Sequence, residues 1–286
     1  MVLLLKLLLS SSIAHSSLVQ APEVITLWPN GAPGSEERRN EPEVRPNSYS
    51  IKNIQNPSLT VFRPPAGKAN GVAIVIAPGG GFTSNVFGPE GEQPAAYFNK
   101  LGITAFVLKY RLSRESGSKV TVDVSAKEDG YRAMRTVRAK AADYGIDPAK
   151  IGFIGFSAGG EVVSSVVFGD VPSVKSPDAI DAVNGRPDFA MWIYTGPVAI
   201  PQEAPATPNL PPAFLLCAFD DEGHLRPTID IMNLYRKAKV SAEMHITSGG
   251  GHGFNLGNRE KKLISVQTWP QRMTDWLIDL GFATKV

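Results

Sequence analysis

Residues 151–163 read IGFIGFSAGGEVV, an apolar run that stops at one serine and continues into small residues. Such a run is typical of a strand that is buried on both faces of a sheet. Within the stretch, residues 155–159 have the form G-x-S-x-G, which places a serine on a sharp turn between a strand and a helix. The stretch therefore predicts a strand, an accessible Ser157 hydroxyl and a helix, in that order.

Strand-like and helix-like segments alternate along much of the chain. Apolar runs predict further strands at GVAIVIAPGGG, ITAFVLKYRL, FAMWIYTG, PAFLLCAF and SAEMHIT. Amphipathic or glycine-terminated segments predict helices at EGEQPAAYFNKLG, SAKEDGYRAMRTVRAKAADYG, AGGEVVSSVVF, PTIDIMNLYRKAK and TWPQRMTDWLIDLG. This alternation predicts an α/β fold, with a mostly parallel central sheet of about eight strands flanked by helices.

The remaining segments complete the fold prediction. SYSIKNI and LTVFRPP alternate apolar and polar residues and predict an antiparallel edge, whereas residues 22–48 predict an irregular lead-in. The proline-rich segment 197–212 is too short and too polar for a lid, so we expect no large lid. We see no second apolar core and expect one α/β domain over residues 18–286.

The composition is that of an ordinary globular protein. The chain has 286 residues, of which 43% are hydrophobic and 20% are charged, and its formal net charge is +2. Lys and Arg are scattered, with no basic block, so we expect neither nucleic acid nor a membrane surface as a partner.

The first 17 residues, MVLLLKLLLSSSIAHSS, differ from the rest of the chain. A leucine-rich stretch followed by small residues predicts a secretory signal peptide over residues 1–17, and the stretch is too short to span a bilayer. Lys6 within the run and the lack of a basic start favour the alternative, a buried or frayed N-terminal segment. The signal peptide predicts a secreted or periplasmic protein without membrane contact after cleavage.

The chain carries one cysteine, Cys217, so an intramolecular disulfide is excluded. Its place in the apolar run PAFLLCAF predicts a small buried hydrophobic residue. No Cys/His set has zinc-site spacing, and no glycine motif for a nucleotide is present. We therefore expect neither a metal nor a cofactor.

A serine nucleophile needs a base, and the chain offers four histidines. His15 lies in the predicted signal peptide, and His245 lies inside a predicted strand. His224 follows DDEG and is a candidate for the rim of the site. His252 lies in the glycine-rich segment SGGGHGF after the last strand and is the predicted base. The alternative for His252 is a solvated loop histidine.

The base needs an acid to orient it, and we expect that acid between the serine and the histidine in chain order. The segment FLLCAFDDEG places Asp220 and Asp221 directly after an apolar strand. Asp220 is the predicted acid because it lies nearer the strand end, and Asp221 is the alternative acid. A further alternative is that both aspartates only cap the loop.

A second glycine-rich loop, residues 78–82 with the sequence PGGGF, follows an early strand. Glycines expose backbone amides and let a substrate carbonyl approach closely. We expect the amides of Gly80 and Gly81, with that of Ala158 at the start of a helix, to form an oxyanion hole. Taken alone the loop is only a turn, but its position after a strand end favours the catalytic interpretation.

Together these motifs resemble the α/β-hydrolase superfamily over almost the whole predicted mature chain. Within it, the chain is similar to the carbohydrate-esterase branch of bacterial acetylxylan esterases and related feruloyl-type esterases. The motifs that carry the resemblance are LWPNGAPG (27–34), APGGGF (77–82), EGEQPAAYFNKLGITAFVLKYRL (90–112), YGIDPAKIGFIGFSAGG (144–160), AFDDEG (218–223) and GHGF (251–254). The resemblance implies an α/β-hydrolase fold and hydrolysis of acetyl or other acyl esters on polysaccharide, without metal or cofactor.

Three positions depart from the pattern of these relatives. Pro78 stands where lipase-like relatives have His, as in the acetylxylan-esterase-like set. Glu161 stands where many relatives have His after the double glycine. Gly223 stands where many have Val after the acid pair, which predicts an acid loop of a different shape and keeps both aspartates open.

An open, shallow site without a lid suits a small acyl group on a bulky carbohydrate. Four aromatic residues are candidates for lining it, each with core packing as the alternative: Phe82, Phe156, Trp192 and Phe254. The predicted function is that of a serine esterase that deacetylates acetylated xylan or related polysaccharides and oligosaccharides.

Other functions are alternatives to this prediction. A feruloyl esterase or a general short-chain carboxylesterase would use the same residues. A serine exopeptidase of the prolyl-oligopeptidase kind has similar motifs, but the chain is too short to carry its propeller. A non-catalytic carbohydrate-binding protein is disfavoured, because it would not need the serine, the histidine and an aspartate together.

Overall fold

The computed structural model describes residues 22–173, 178–203, 209–259 and 263–284 of the chain. Within these residues the strands are β1 (Val24–Thr26), β2 (Ser58–Phe62), β3 (Ala73–Ala77), β4 (Thr104–Lys109), β5 (Ile151–Phe156), β6 (Phe189–Ile193), β7 (Ala213–Ala218) and β8 (Ala242–Thr247). They form an eight-stranded sheet in the order β1-β2-β4-β3-β5-β6-β7-β8.

Most of the strand pairings are parallel. The six strands β4, β3, β5, β6, β7 and β8 pair with one another in parallel, whereas β1 and β2 add two antiparallel strands beside β4. The carboxyl ends of the parallel strands therefore lie at the same edge of the sheet. This confirms the predicted mostly parallel α/β sheet and brings the loops after these strands together.

The antiparallel edge differs from the prediction in one strand. The outer neighbour of β2 is β1, from the predicted lead-in, and the described segment 48–54 (SYSIKNI) is not a strand. Ile51 instead exchanges backbone hydrogen bonds of 2.9 and 2.8 Å with Asn85, in the loop after β3. Because its backbone groups are paired there, they do not pair with the edge of β2.

Helices flank the sheet. In the described part of the chain the α-helices are α1 (Gln93–Lys100), α2 (Lys127–Ala139), α3 (Ala158–Val167), α4 (Glu222–Ala238), α5 (Ile264–Gln267) and α6 (Trp269–Asp279). The five predicted helices correspond to α1–α4 and α6, and the short α5 was not predicted. Helix α4 begins at Glu222, ahead of the predicted start at Pro227, so Pro227 lies inside the helix.

The buried core follows the middle of the sheet. Every residue of β3, β4, β5, β6 and β7 is buried, whereas most of β8 is half-buried and β1 is largely exposed. Burying a large apolar side chain stabilises a fold by about 1.5–3 kcal/mol. The loops after β3, β5, β6 and β7 are therefore anchored to strands that are held from both faces.

The predicted signal peptide, residues 1–17, lies outside the described residues, and the single domain expected over residues 18–286 stays a prediction. Among the described helices, none has both the length and the apolar character that crossing a membrane requires. The described parts of the proline-rich segment, 197–203 and 209–212, contain no helix, and the expected lack of a large lid stays a prediction.

Candidate active site

Ser157 lies at the turn between β5 and α3. Its backbone has φ 51° and ψ −121°, a conformation that non-glycine residues rarely adopt. A Cβ on Gly155 would lie 2.2 Å from the carbonyl oxygen of Gly159, and a Cβ on Gly159 would lie 1.9 Å from that of Ala77. The two glycines are therefore required for strand and helix to approach this closely, as the G-x-S-x-G pattern predicts.

The imidazole of His252 meets the Ser157 hydroxyl. Its Nε2 lies 2.8 Å from Oγ of Ser157, within hydrogen-bond distance. His252 lies in the loop after β8, where Gly250, Gly251 and Gly253 have φ angles of 140°, 63° and 72°. These left-handed conformations favour glycine and allow the loop to turn back over the edge of the sheet.

The acid that contacts His252 is Asp221, which corrects the prediction of Asp220. Oδ2 of Asp221 lies 2.7 Å from Nδ1 of His252, and the Asp221 side chain is 5% exposed. Asp221 occupies the position before α4, with φ −94° and ψ 75°, and this turn directs the second aspartate into the site. Proximity to the strand end is therefore the wrong criterion for the acid.

Asp220 contacts the same loop in a different way. Its carboxylate accepts backbone hydrogen bonds from Gly251 at 2.7 Å and from Gly250 at 3.4 Å. Asp220 thus holds the backbone of the loop, while Asp221 holds the imidazole of His252.

The hydrogen bonds define the tautomer of His252. An ionised carboxylate only accepts hydrogen bonds, so Nδ1 carries the proton that it donates to Asp221. Nε2 is then unprotonated and accepts the hydrogen bond of the Ser157 hydroxyl. Burial lowers the pKa of His252, although its hydrogen bond to Asp221 acts in the opposite direction. The imidazole is therefore neutral at neutral pH and able to accept a proton.

The glycine loop after β3 lies against the serine turn. A Cβ on Gly79 would lie 2.8 Å from Cβ of Ser157. Gly80 and Gly81 have φ angles of 119° and 62°, and the space where Gly81 would carry a Cβ is open. Ala158 is the first residue of α3, and the first amides of a helix have no acceptor within it. The oxyanion hole formed by the amides of Gly80, Gly81 and Ala158 stays a prediction.

A buried pair, Glu90 and Tyr194, connects the glycine loop to the histidine loop. Glu90 accepts hydrogen bonds from the Gly79 amide and from the Tyr194 hydroxyl, both at 2.8 Å. The Tyr194 oxygen accepts the Asn255 amide at 3.2 Å, and its ring packs edge-to-face on His252 with centroids 5.0 Å apart. Burial raises the pKa of the Glu90 carboxyl, and its two hydrogen bonds oppose this rise. The pair thus joins two loops that meet at the serine turn.

The aromatic residues predicted to line the substrate site are buried, which corrects that prediction. The exposed fraction is 0% for Phe82, Phe156 and Trp192 and 3% for Phe254. Trp192 stacks on Phe168 with centroids 5.8 Å apart, and Phe254 packs on Tyr194 at 4.8 Å. Their apolar surface is used in the core, which is the alternative that the sequence left open.

One group of potential metal ligands occurs among the described residues. It consists of Asp221, His224 and His252, whose ligating atoms lie within 4.8 Å of one another. Nδ1 of each histidine already lies 2.7 Å from an oxygen of the Asp221 carboxylate. In the structure, the three side chains are therefore joined by hydrogen bonds through Nδ1 of both histidines.

Sequence reasoning missed Tyr194 and Glu90 and gave His224 only a place at the rim. Tyr194 directly follows β6, and residues after parallel strands at this edge are general candidates for a site. Glu90 gives no local signal, because its partner Tyr194 is 104 residues away. His224 lies at hydrogen-bond distance from Asp221 and stacks on His252.

The chain is similar in sequence to known esterases. The BD-FAE family model matches residues 59–169. The acetylxylan esterase of Xylanibacter ruminicola is 31% identical over 246 residues, which are 74% of this chain and 45% of that protein. The chain therefore spans less than half of the length of this curated relative.

Solved structures share the fold. An acetyl ester-xyloside bifunctional hydrolase from Caldicellulosiruptor lactoaceticus has a TM-score of 0.70 at 26% identity, over 94% of this chain and 100% of that chain. A Thermogutta terrifontis esterase with bound propionate has a TM-score of 0.70 at 22% identity, over 93% of this chain and 97% of that chain. From the sheet order, the serine turn and these similarities, we conclude that the chain has an α/β-hydrolase fold.

Proposed function

We propose that the protein is a serine carboxylic ester hydrolase that removes acetyl groups from acetylated xylan or related polysaccharides. The observation that carries this proposal is the row of contacts from Ser157 Oγ to His252 Nε2 (2.8 Å) and from His252 Nδ1 to Asp221 Oδ2 (2.7 Å). A hydroxyl, a neutral imidazole and a buried carboxylate in this order activate an alcohol oxygen for attack on a carbonyl carbon. The names of the X. ruminicola and C. lactoaceticus proteins support the substrate class.

In the proposed acylation step, His252 accepts the Ser157 proton while Oγ forms a bond to the ester carbonyl carbon. The carbonyl oxygen becomes negative, and the amides of Gly80, Gly81 and Ala158 are the donors proposed to stabilise it. The neighbouring carboxylate stabilises the imidazolium. The bond from the carbonyl carbon to the sugar oxygen then breaks, that oxygen takes the proton from Nε2, and the acetyl group stays on Oγ.

In the proposed second step, water takes the place of the sugar alcohol. Nε2 of His252 accepts a proton from water as its oxygen bonds to the acetyl carbon. The bond from that carbon to Ser157 Oγ then breaks, Oγ receives the proton and acetate leaves. Serine and histidine return to their starting states.

The surroundings of the serine support a small acyl group on a large alcohol. The His252 side chain is 39% exposed, and the described parts of segment 197–212 contain no helix that would cover it. A carbohydrate chain can therefore approach from solvent, and no helix in the described parts of this segment supplies the extended apolar cover that a long acyl chain requires.

Replacement of Ser157 by Ala tests the proposal. Without Oγ, we expect turnover of p-nitrophenyl acetate to fall by about 10⁴-fold or more, with an unchanged Tm. A fluorophosphonate is expected to label the wild type and not Ser157→Ala. The matched control is Ser241→Ala, since Ser241 is exposed and precedes β8 at the opposite edge of the sheet. Wild-type turnover by Ser157→Ala would contradict the proposal.

A substrate panel tests the acyl and sugar classes. We expect acetate release from acetylated xylan to be faster than ferulate release from methyl ferulate and faster than hydrolysis of longer acyl esters. Faster ferulate release would instead identify a feruloyl esterase, and equal rates would identify a general short-chain carboxylesterase. Binding of xylan without any turnover would identify a carbohydrate-binding protein.

We also propose that residues 1–17 direct the protein to the periplasm or the exterior, where polysaccharides are accessible. Expression of the full chain followed by mass spectrometry of its N-terminus tests this proposal. Cleavage near residue 17 is expected, and an intact Met1 on protein found in the cytoplasm would contradict it.

A further inference from the structure

His224 is a second imidazole beside the proposed triad. Its Nδ1 lies 2.7 Å from Oδ1 of Asp221, while Nδ1 of His252 lies 2.7 Å from Oδ2 of the same carboxylate. The rings of the two histidines are stacked, with centroids 3.9 Å apart and planes inclined by 21°. The mechanism above uses only one of these two imidazoles.

Local geometry places His224 against Asp221. Asp221 is the residue before α4, and His224 lies three positions later in the first turn of that helix. Residues three apart lie on the same side of a helix, so the His224 ring reaches back to the carboxylate. The His224 side chain is 26% exposed and that of Asp221 is 5% exposed, so water has limited access to the contact.

The shared carboxylate constrains the positions of the protons. An ionised carboxylate only accepts hydrogen bonds, so Nδ1 of both histidines donates to Asp221. Each carboxylate oxygen then has one imidazole partner. Because the negative charge is divided between two donors, less of it stabilises the protonated form of His252.

We propose that His224 is a positioning residue that fixes Oδ1 of Asp221 and, by sharing this carboxylate, keeps His252 neutral in mildly acidic solution. This inference rests on the proposed function, since it concerns the same serine, histidine and aspartate. Activity requires a neutral His252, so it is lost as the pH falls through the pKa of that imidazole. His224 therefore extends the active pH range downward.

Groups from other elements also face His252. Tyr194, after β6, packs edge-to-face on its ring and donates its hydroxyl hydrogen bond to Glu90. Arg259, in the same loop as His252, contributes a positive charge. All of these groups stay in place when His224 alone is replaced, so the contribution of His224 can be measured separately.

The electrostatics of the site agree with this geometry. Burial is the largest effect that lowers the pKa of His252, the hydrogen bond to Asp221 raises it, and the neighbouring His224 lowers it again. Glu161, in α3, interacts electrostatically with His224. Replacing His224 by a residue that cannot donate a hydrogen bond to Asp221 is therefore expected to raise the pKa of His252.

The test compares His224→Ala with His224→Asn in pH profiles of kcat/KM for p-nitrophenyl acetate. Asn places an amide nitrogen near the position of Nδ1, so it keeps a donor to Asp221, whereas Ala removes the donor. The acid limb of the profile is the fall in kcat/KM as the pH decreases. We expect its midpoint to move up by about 0.5–1 pH unit in His224→Ala. In His224→Asn we expect the midpoint to stay within about 0.2 unit of the wild type.

The matched controls are His245→Ala and His245→Asn. Nε2 of His245 lies 2.6 Å from Oε1 of Glu243, at hydrogen-bond distance, and both residues belong to β8. Removal of the His245 imidazole should therefore leave the acid limb unchanged. If the acid limb of His224→Ala lay at the same pH as that of the wild type, the proposal would be overturned, even if kcat had changed. The proposal would also be overturned if the acid limb of His224→Asn moved up as far as that of His224→Ala. The hydrogen-bond donor to Asp221 would then not be the cause of the shift.

A direct titration separates this inference from the proposed function. In Ser157→Ala protein, the NMR resonances of the His252 ring protons report its pKa without any turnover, with His252→Gln providing the assignment. The same upward shift of about 0.5–1 unit is expected when His224→Ala is added. Activity retained by Ser157→Ala would overturn the proposed function alone, while an unshifted resonance would overturn the role of His224 alone.

Discussion

Asp220 and Asp221 are adjacent in the chain, yet their carboxylates contact different groups of one loop. The exposed Asp220 accepts the Gly251 amide at 2.7 Å, and the buried Asp221 accepts Nδ1–H of His252 at 2.7 Å. The first contact fixes the backbone, and the second fixes the tautomer of the imidazole. Removing the charge of each aspartate in turn therefore separates these two effects.

We predict that Asp221→Asn lowers kcat by about 10³–10⁴-fold, because an amide nitrogen facing Nδ1 favours the wrong tautomer of His252. Asp220→Asn keeps an oxygen for the Gly251 amide, so its kcat should fall by less than about 10-fold. Hydrolysis of p-nitrophenyl acetate measures both variants, and circular dichroism checks that each is folded. A larger loss of kcat in Asp220→Asn than in Asp221→Asn would instead identify Asp220 as the acid.

At the residue scale, the sequence could place Ser157 and His252 near each other because each lies in a short motif after a strand. The choice between the aspartates depends on the φ and ψ angles of the turn at Asp221, and the sequence does not reveal these angles. The burial of Phe82 and Trp192 depends on what packs over them, so aromatic character alone could not separate a lining residue from a core residue.

At the scale of elements, the contact between β3, β5 and α3 determines how the serine is presented. Gly159, in the first turn of α3, faces the carbonyl oxygen of Ala77 at the end of β3. No side chain fits between them, so this glycine sets the distance between the helix and the sheet. The serine turn and the glycine loop are held together by the same contact.

We predict that Gly159→Ala destabilises the fold by at least about 3 kcal/mol or prevents folding, because the added Cβ would lie 1.9 Å from the Ala77 oxygen. The control is Gly223→Ala in α4, where a Cβ would meet no atom within 4 Å and alanine favours the helix. Urea unfolding measures both variants. A Gly159→Ala protein as stable as the wild type would contradict the close contact.

Long apolar strands and amphipathic helices were predictable because their periodic patterns extend over many residues. The three-residue β1 is too short to show a period, so the sequence of the lead-in did not predict this strand. SYSIKNI has the alternation of a strand, but in the structure it pairs with the loop after β3 and is not part of the sheet. The hydrogen bond between Glu90 and Tyr194 joins distant segments and has no counterpart in local sequence.

At the scale of the whole molecule, two buried arginines hold the lead-in segment against α2. The Trp28 ring faces the guanidinium groups of Arg111 and Arg132, at 5.5 and 5.7 Å. Arg132 donates to the Leu27 carbonyl at 2.9 Å. Arg111 donates to the fully buried carboxylate of Asp129 at 2.7 Å. The segment LWPNGAPG is thus tied to the domain by two guanidinium groups, of which that of Arg111 is paired with Asp129.

We predict that Asp129→Ala lowers the free energy of unfolding by about 3–5 kcal/mol, because it removes a buried partner of Arg111. Asp143→Ala is the control, since Asp143 forms an exposed pair with Lys140 at 3.8 Å and should cause no measurable change. Urea unfolding followed by tryptophan fluorescence measures both variants. Equal stabilities of the two variants would contradict a structural role for the Arg111–Asp129 pair.

The position of β1 has a practical consequence for attaching the protein to a solid support. Val24 in β1 is 53% exposed, whereas Cys217, the one cysteine of the chain, is buried. Four strand spacings separate β1 from β5, which is about 19 Å at roughly 4.8 Å for each spacing. A thiol introduced by Val24→Cys would therefore couple the protein to a resin through the β1 edge and leave the turn after β5, with its reactive hydroxyl, open to dissolved polymer.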